Sequence, residues 1–226
     1  GHLQSKLTSE LRQALARRDT TLLGVVLNVL LAWPDCCFRA ETVKNPRTQH
    51  SLAFVPAIFS EFRLMPKERA LVEICQKEKA AGRKILVYSI YTGTRDTTSR
   101  LKAILEHEGF KVAVLRANVD TSRREDWIAE QLDRGIDVLV TNPELVKTGL
   151  DLLEFPTIVF CQSGYNVYTL QQASRRSWRI GQKQPVKVMA KMPARTACGM
   201  RMPRSPVLEC LARSSLRAAY DKSIAG

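Results

Sequence analysis

Between residues 66 and 191 short apolar runs alternate with amphipathic stretches of helical period. Ile85-Leu86-Val87-Tyr88-Ser89-Ile90 is the longest run. A strand wetted on one face would alternate apolar and polar residues, whereas a near-continuous run fits a parallel strand covered on both faces. Val112–Leu115, Val138–Thr141, Ile158–Cys161 and Val186–Met189 read the same way. Pro66 suits a first helical position, and Lys67–Ala81 places Leu71, Ile74 and Cys75 on one face before Gly82. Arg95–Glu108 carries Leu101, Ile104 and Leu105 inward and stops at Gly109. Ser122-x-x-Glu125 matches a capping box opening Arg123–Arg134, with Gly135 as its end, and a last helical pattern spans Asn166 to Trp178. Strand and helix alternating at this spacing predict an α/β fold, a doubly wound parallel β-sheet with helices on both faces.

The flanks differ in texture. Leu7, Leu11 and Leu15, then Leu22, Leu23, Val26, Leu27, Leu30 and Leu31, predict two helices, the second ending at Pro34-Asp35. From Asp35 to Met65, prolines and scattered aromatics predict an extended crossing segment. Residues 192–226 are basic and carry Pro193, Pro203 and Pro206, with a helical pattern around Val207–Tyr220. The expected organisation is an N-terminal helical extension or connector over 1–65, the α/β domain over 66–191 and a basic tail over 192–226.

Composition narrows the function classes. Of 226 residues, 45% are hydrophobic and 25% charged, which is globular and excludes wholesale disorder. The longest apolar stretch, Thr20 to Trp33, is broken by Gly24 and Asn28 and falls short of the roughly 18 residues a membrane span needs. Thirty-five Lys and Arg against 22 Asp and Glu give a net charge of +13, a field that favours a polyanion such as nucleic acid. Charge alone leaves a merely basic soluble domain equally open. The six cysteines form no C-x-x-C pair and no cluster with His2, His50 or His107, so no metal site is expected. Reduced thiols and the absence of a secretory signal fit a cytoplasmic or nucleoid-associated protein, and the start at Gly1-His2 suggests part of a longer one.

In open parallel sheets ligands bind beyond the carboxyl ends of the strands. Three segments fall there: Ser89 to Gly93, Thr141 to Leu152, and Gln171 to Gln182. Arg176 and Arg179 lie three apart, so on a helix they share a face and can reach one anion together. A solvated basic helix end accounts for the same pair. In Thr148-Gly149-Leu150-Asp151-Leu152 the glycine admits a phosphate close to backbone amides, and Asp151 can accept from a ribose hydroxyl or orient an arginine. No G-x-x-x-x-G-K-[ST] occurs, nor an acidic cluster for Mg²⁺, so the chain by itself is not expected to bind and hydrolyse a nucleoside triphosphate.

Order and spacing together carry a resemblance. Val87-Tyr88-Ser89-Ile90-Tyr91-Thr92, the strand leading to Thr148-Gly149-Leu150-Asp151-Leu152, the strand Ile158–Cys161 and then Gln172-Ala173-x-x-Arg176-x-x-Arg179-Ile180-Gly181-Gln182 resemble the second RecA-like lobe of superfamily 2 helicases. The likeness is greatest to the Swi/Snf-type translocase branch and covers roughly Lys67–Met189. Leu145-Val146-Lys147 stand where that branch has glycines, Gln162-Ser163 where it has Asp-Pro, and Trp178 where a histidine is common. The resemblance implies that Arg176 and Arg179 are arginine fingers and that Gln172, Gly149 and Asp151 line the nucleotide cleft. It implies that Ser89, Tyr91, Thr92, Thr141 and Thr148 contact a nucleic-acid backbone. It also implies that ATP and Mg²⁺ are held mainly by a first lobe N-terminal to this one, with DNA favoured over RNA as the strand. Competing readings are a basic nucleic-acid-binding α/β module with no ATPase role and a phosphate-utilising α/β enzyme, for which Asp151 is the one good carboxylate.

Overall fold

The computed structural model describes residues 2–146, 149–162, 167–177 and 180–190. These divide into two compact units, one running to Leu64 and one from Met65 onward. No helix among the described residues is long and apolar enough to cross a membrane.

The first unit is two helices and a hairpin. Helices α1 (His2–Ala16) and α2 (Thr21–Cys36) close a core with Leu7, Ala14, Leu22, Val26 and Val29. Pro34 falls in the last turn of α2, and the helix continues two residues past it although proline supplies no N–H to the intrahelical ladder there. The stretch expected to be irregular instead holds strands β1 (Glu41–Lys44) and β2 (Ser51–Val55), paired antiparallel with Glu41 opposite Val55. Their turn is built on Asn45, whose Oδ1 accepts from the N–H groups of Arg47 (2.9 Å) and Thr48 (3.2 Å). Val43, Leu52 and Ala53 complete the core, while Phe54 stays exposed.

The second unit alternates helices and strands in the expected order. Helix α3 (Pro66–Ala80) leads to β3 (Ile85–Tyr88), α4 (Thr98–His107) to β4 (Val112–Leu115), and α5 (Arg124–Asp133) to β5 (Val138–Thr141). The short α6 (Pro143–Val146) precedes β6 (Thr157–Phe160), and α7 (Val167–Ser174) precedes β7 (Lys187–Ala190). The five strands lie in the order β4-β5-β3-β6-β7 and every pairing is parallel. Alternate residues serve opposite faces. Ile85, Val87, Val138, Val140 and Val159 pack with Leu71, Cys75, Leu101 and Leu105 of α3 and α4. Leu86, Tyr88, Leu139, Ile158 and Phe160 pack with Ile128, Val146 and Ala173 of α5, α6 and α7. Helices therefore cover both faces, as the unbroken apolar runs require. The strand ends are level: Tyr88 pairs with Thr141 on one side and Phe160 on the other, so the residues that follow emerge side by side.

Two helix starts differ from the sequence expectation. Asp96, not Arg95, fixes the start of α4: its carboxylate accepts from Thr98 N (2.8 Å), Thr98 Oγ1 (2.5 Å) and Ser99 Oγ (2.7 Å). Ser122 is not the cap of α5. Asp120 Oδ1 accepts from Ser122 N (2.9 Å) and Ser122 Oγ (2.8 Å), opening a 3₁₀ turn over Thr121–Arg123 from which α5 continues.

Asp96 yields a pH prediction. Partial burial opposes its charge, but the bonds from Thr98, Ser99 and Arg116 outweigh that and hold the carboxyl at about 2, against 3.8 unfolded. A depressed carboxylate contributes stability above its unfolded value and loses it as pH falls through the folded one. Roughly 2 kcal/mol is therefore present above pH ~4 and gone near pH 2, at about 1.4 kcal/mol per unit. Urea denaturation should show Asp96→Asn less stable than wild type at pH 6, with the gap closing toward pH 2; a gap independent of pH contradicts the assignment.

Candidate functional site

The carboxyl ends of β3, β5 and β6 form one rim. Ser89 and Thr141 are fully buried. The Ser89 hydroxyl lies 2.8 Å from Thr97 Oγ1, and Thr97 in turn donates its N–H (2.9 Å) and hydroxyl (3.2 Å) to Tyr91 O. Thr141 Oγ1 donates to Leu115 O at 3.2 Å. Both hydroxyls, expected to meet a nucleic-acid backbone, turn inward, because a strand-end hydroxyl next to unpaired loop groups is drawn to satisfy them. They shape the rim from beneath. Tyr91 and Thr92 are half-buried on the rim itself, and Thr148 lies outside the described residues.

Two polar side chains given no role from the sequence hold this rim together. Asn142 Nδ2 donates to Ile90 O and to Thr92 Oγ1, each at 3.4 Å. Gln162, buried just after β6, accepts from Ile90 N at 3.1 Å. The available signal was position: each is a polar amide at the end of a buried strand. Arg124, the first residue of α5, is a third. It is buried and donates from Nε to Val119 O (3.2 Å) and from Nη1 to Leu145 O (2.9 Å).

The other two predicted segments come together beside the rim. Gly149 has φ +79°, open to glycine and strained for other residues, and a Cβ there would meet nothing within 4 Å. Leu150 and Leu152 are buried and anchor the loop, leaving Asp151 exposed between them. Leu152 N–H donates to Arg176 O at 3.1 Å, and Gln182 Nε2 donates to Leu153 O (2.8 Å) and Ser177 O (2.9 Å). From the sheet side the Tyr88 hydroxyl donates to Ala173 O at 3.1 Å. Burial pushes the Tyr88 phenol well above its ordinary pKa, against the opposing charge of Arg176, so it stays a donor at any working pH. The loop carrying Gly149 and Asp151 is thus locked to the segment carrying half-buried Gln172 and buried Arg176. Arg179 lies outside the described residues, between Ser177 and a fully exposed Ile180.

This arrangement offers a nucleotide an open glycine turn, an exposed carboxylate and a basic segment, all on the sheet edge where ligands of such folds sit. Among the described residues no group of three or more His, Cys, Asp or Glu could hold a metal ion.

Comparison with known proteins agrees with this architecture. Among curated proteins the chain is similar to the bifunctional helicase and thymine dioxygenase JBP2 of Leishmania tarentolae, with 29% identity over 66% of this chain and 14% of that protein. It is also similar to the SNF2 domain-containing protein CLASSY 4 of Arabidopsis thaliana, with 25% identity over 63% of this chain and 14% of that one. The chain thus spans about one seventh of the length of these relatives. Among solved structures, the C-terminal part of the Fun30 ATPase domain superposes with a TM-score of 0.50 at 20% identity, covering 55% of this chain and 40% of that one, a likeness of fold. Residues 66–181, about half of the chain, match the helicase conserved C-terminal domain. With its five parallel strands and a motif segment locked at their carboxyl ends, the chain belongs to that family and carries the C-terminal RecA-like lobe of a superfamily 2 helicase.

Proposed function

We propose that this lobe is half of an ATP-driven nucleic-acid translocase of Swi/Snf type, with a first RecA-like lobe as its partner. The observation that carries the reading is the joining of the Gly149–Leu153 loop to the Ala173–Gln182 segment by the Leu152–Arg176 and Gln182 bonds. In this reading Arg179, together with Arg176, stabilises charge on a γ-phosphoryl group. Gln172 lines the nucleotide cleft, and Asp151 beside Gly149 accepts from the ribose. Hydrolysis of ATP, held with Mg²⁺ mainly by the first lobe, supplies the free energy of the cycle. Tyr91, Thr92 and Thr148 meet the phosphodiester backbone, DNA in preference to RNA, while Ser89 and Thr141 support that rim. The cycle shifts populations between two lobe arrangements that grip the strand differently. Work on such a strand would place the protein in the cytoplasm or on the nucleoid.

The experiment is ATP hydrolysis by the full-length protein with no nucleic acid, with duplex DNA and with RNA of equal length. Turnover should rise on adding DNA more than on adding RNA. DNA affinity should fall linearly with salt on logarithmic axes, because lysines and arginines that meet phosphates release counterions. DNA binding with no ATP hydrolysis would overturn the motor reading in favour of a simple binding module.

A further inference from the structure

The rim that carries Tyr91 and Thr92 and the helix that carries Gln172 are joined by a clasp that starts at Asn142, runs through the turn after β5 and ends on Thr169 of α7. Just after β5, Asn142 Oδ1 accepts from Glu144 N at 2.9 Å, while its Nδ2 group holds Ile90 O and Thr92 Oγ1. Arg124 fixes the same turn by donating to Leu145 O. On its far side the turn reaches α7: the Thr169 hydroxyl donates to Glu144 Oε1 at 2.9 Å. Thr169 is 5% exposed and its hydroxyl reaches out to the exposed Glu144 carboxylate, and a hydrogen bond to a charged acceptor is shorter and stronger than one between neutral groups. Thr169 lies one helical turn before Gln172 and Ala173 on α7, and Arg176 follows two residues after the end of that helix. A displacement of Thr92 thus has a hydrogen-bonded route to α7 through Asn142, Glu144 and Thr169.

We propose that the Glu144–Thr169 bond is a positioning element that transmits nucleic-acid engagement at the β3 rim to the nucleotide-side face of α7. This rests on the translocase reading above and names residues of the coupling that the motif pattern does not contain. Neither side chain touches substrate. Their effect is on how far a bound strand accelerates hydrolysis, and spatial continuity becomes coupling only if breaking the bond changes that ratio.

The test uses the full-length protein, with ATPase measured without nucleic acid and with saturating duplex DNA. Thr169→Val keeps shape and volume while removing the donor, and Glu144→Ala removes the acceptor. Each should leave basal turnover, KM for ATP and the Kd for DNA unchanged while cutting the stimulation ratio by about fivefold or more, the low end of usual inter-site coupling. The double variant should lose no more than either single one. Thr169→Ser, which restores a hydroxyl, and Glu144→Gln, which keeps an oxygen acceptor, should recover most of the ratio. Full stimulation in Thr169→Val, or basal and stimulated rates falling together, overturns the proposal and leaves the translocase reading standing. A wild-type protein with no stimulated ATPase overturns the parent reading, and this one with it.

Discussion

Arg179→Ala in the full-length protein is expected to lower DNA-stimulated ATP turnover by about 10³-fold or more. When a γ-phosphoryl group transfers, charge spreads over its oxygens, and a guanidinium placed there acts mainly in the transition state. The loss should therefore fall on kcat and kcat/KM alike, with little change in ATP affinity. A lysine lacks the planar fork and is more strongly hydrated, so Arg179→Lys should recover only a small part. The neighbouring arginine makes an informative contrast. Arg176 is 7% exposed and its carbonyl accepts from Leu152 N–H, so its segment also seats the Gly149–Asp151 loop. Arg176→Ala should thus raise KM as well as lower kcat, and should soften the fold. Affinity for DNA without nucleotide should survive Arg179→Ala. If turnover stays near normal, or if only DNA affinity falls, Arg179 is a backbone contact and not a finger.

The strands of the sheet were legible because they are buried on both faces. Ile85, Leu86, Val87 and Tyr88 are all fully buried, and a strand so placed has no reason to alternate. Its order was not legible, since nothing local says that β5 and β6 flank β3. The β1–β2 hairpin escaped because its strands lie partly in water and are joined through Asn45-Pro46, a sequence that equally suits a loop. Ser122 matched a capping pattern, yet Asp120, two residues earlier, takes the bonds. For the site, element order put the segments holding Gly149, Asp151, Gln172 and Arg176 at the carboxyl ends of the strands, and the family resemblance supplied the roles expected of them. Ser89 and Thr141 were expected at a nucleic-acid backbone, but a residue beside a strand end can face solvent or the fold, and here their hydroxyls meet Thr97 and Leu115. Asn142 and Gln162 are marked only by their place at the ends of buried strands, and Arg124 by nothing local, because each acts on carbonyls and amides brought near by folding.

The opposite end of the sheet carries the second large effect: Glu78→Ala should destabilise the α/β unit by about 3–5 kcal/mol, the usual cost of stranding one partner of a buried ion pair. Glu78, in the last turn of α3, is 3% exposed, and Arg83, just before β3, is 9% exposed. Arg83 Nε donates to Glu78 Oε2 at 2.7 Å and to Thr157 Oγ1 at 3.1 Å, and Thr157 donates to the same carboxylate oxygen at 2.7 Å. Its Nη2 reaches Pro156 O (3.1 Å) and Pro185 O (2.7 Å), and Lys187 Nζ reaches Glu78 Oε1 at 2.8 Å. One cluster therefore ties α3 to the amino ends of β3, β6 and β7. Without Glu78 the guanidinium stays buried among neutral acceptors, while Lys187, 46% exposed, can turn to water. Burial works against the Glu78 charge, yet the bonds from Lys187, Thr157 and Arg83 win and hold its pKa below the ordinary 4.5. The stability it gives is therefore complete above pH ~4.5 and is lost as pH falls below that, so the deficit of the variant should shrink in acid. Hydrogen exchange at the β3 and β6 amides reports this unit alone and should quicken by the factor matching 3–5 kcal/mol, a large part of the 5–15 kcal/mol typical of a domain. Because the cluster sits at the amino ends of the strands and the candidate site at their carboxyl ends, DNA affinity measured well below the melting temperature should not change. A variant that loses DNA affinity without losing exchange protection would place Glu78 in function, and its buried pairing with Arg83 argues that it belongs to the scaffold.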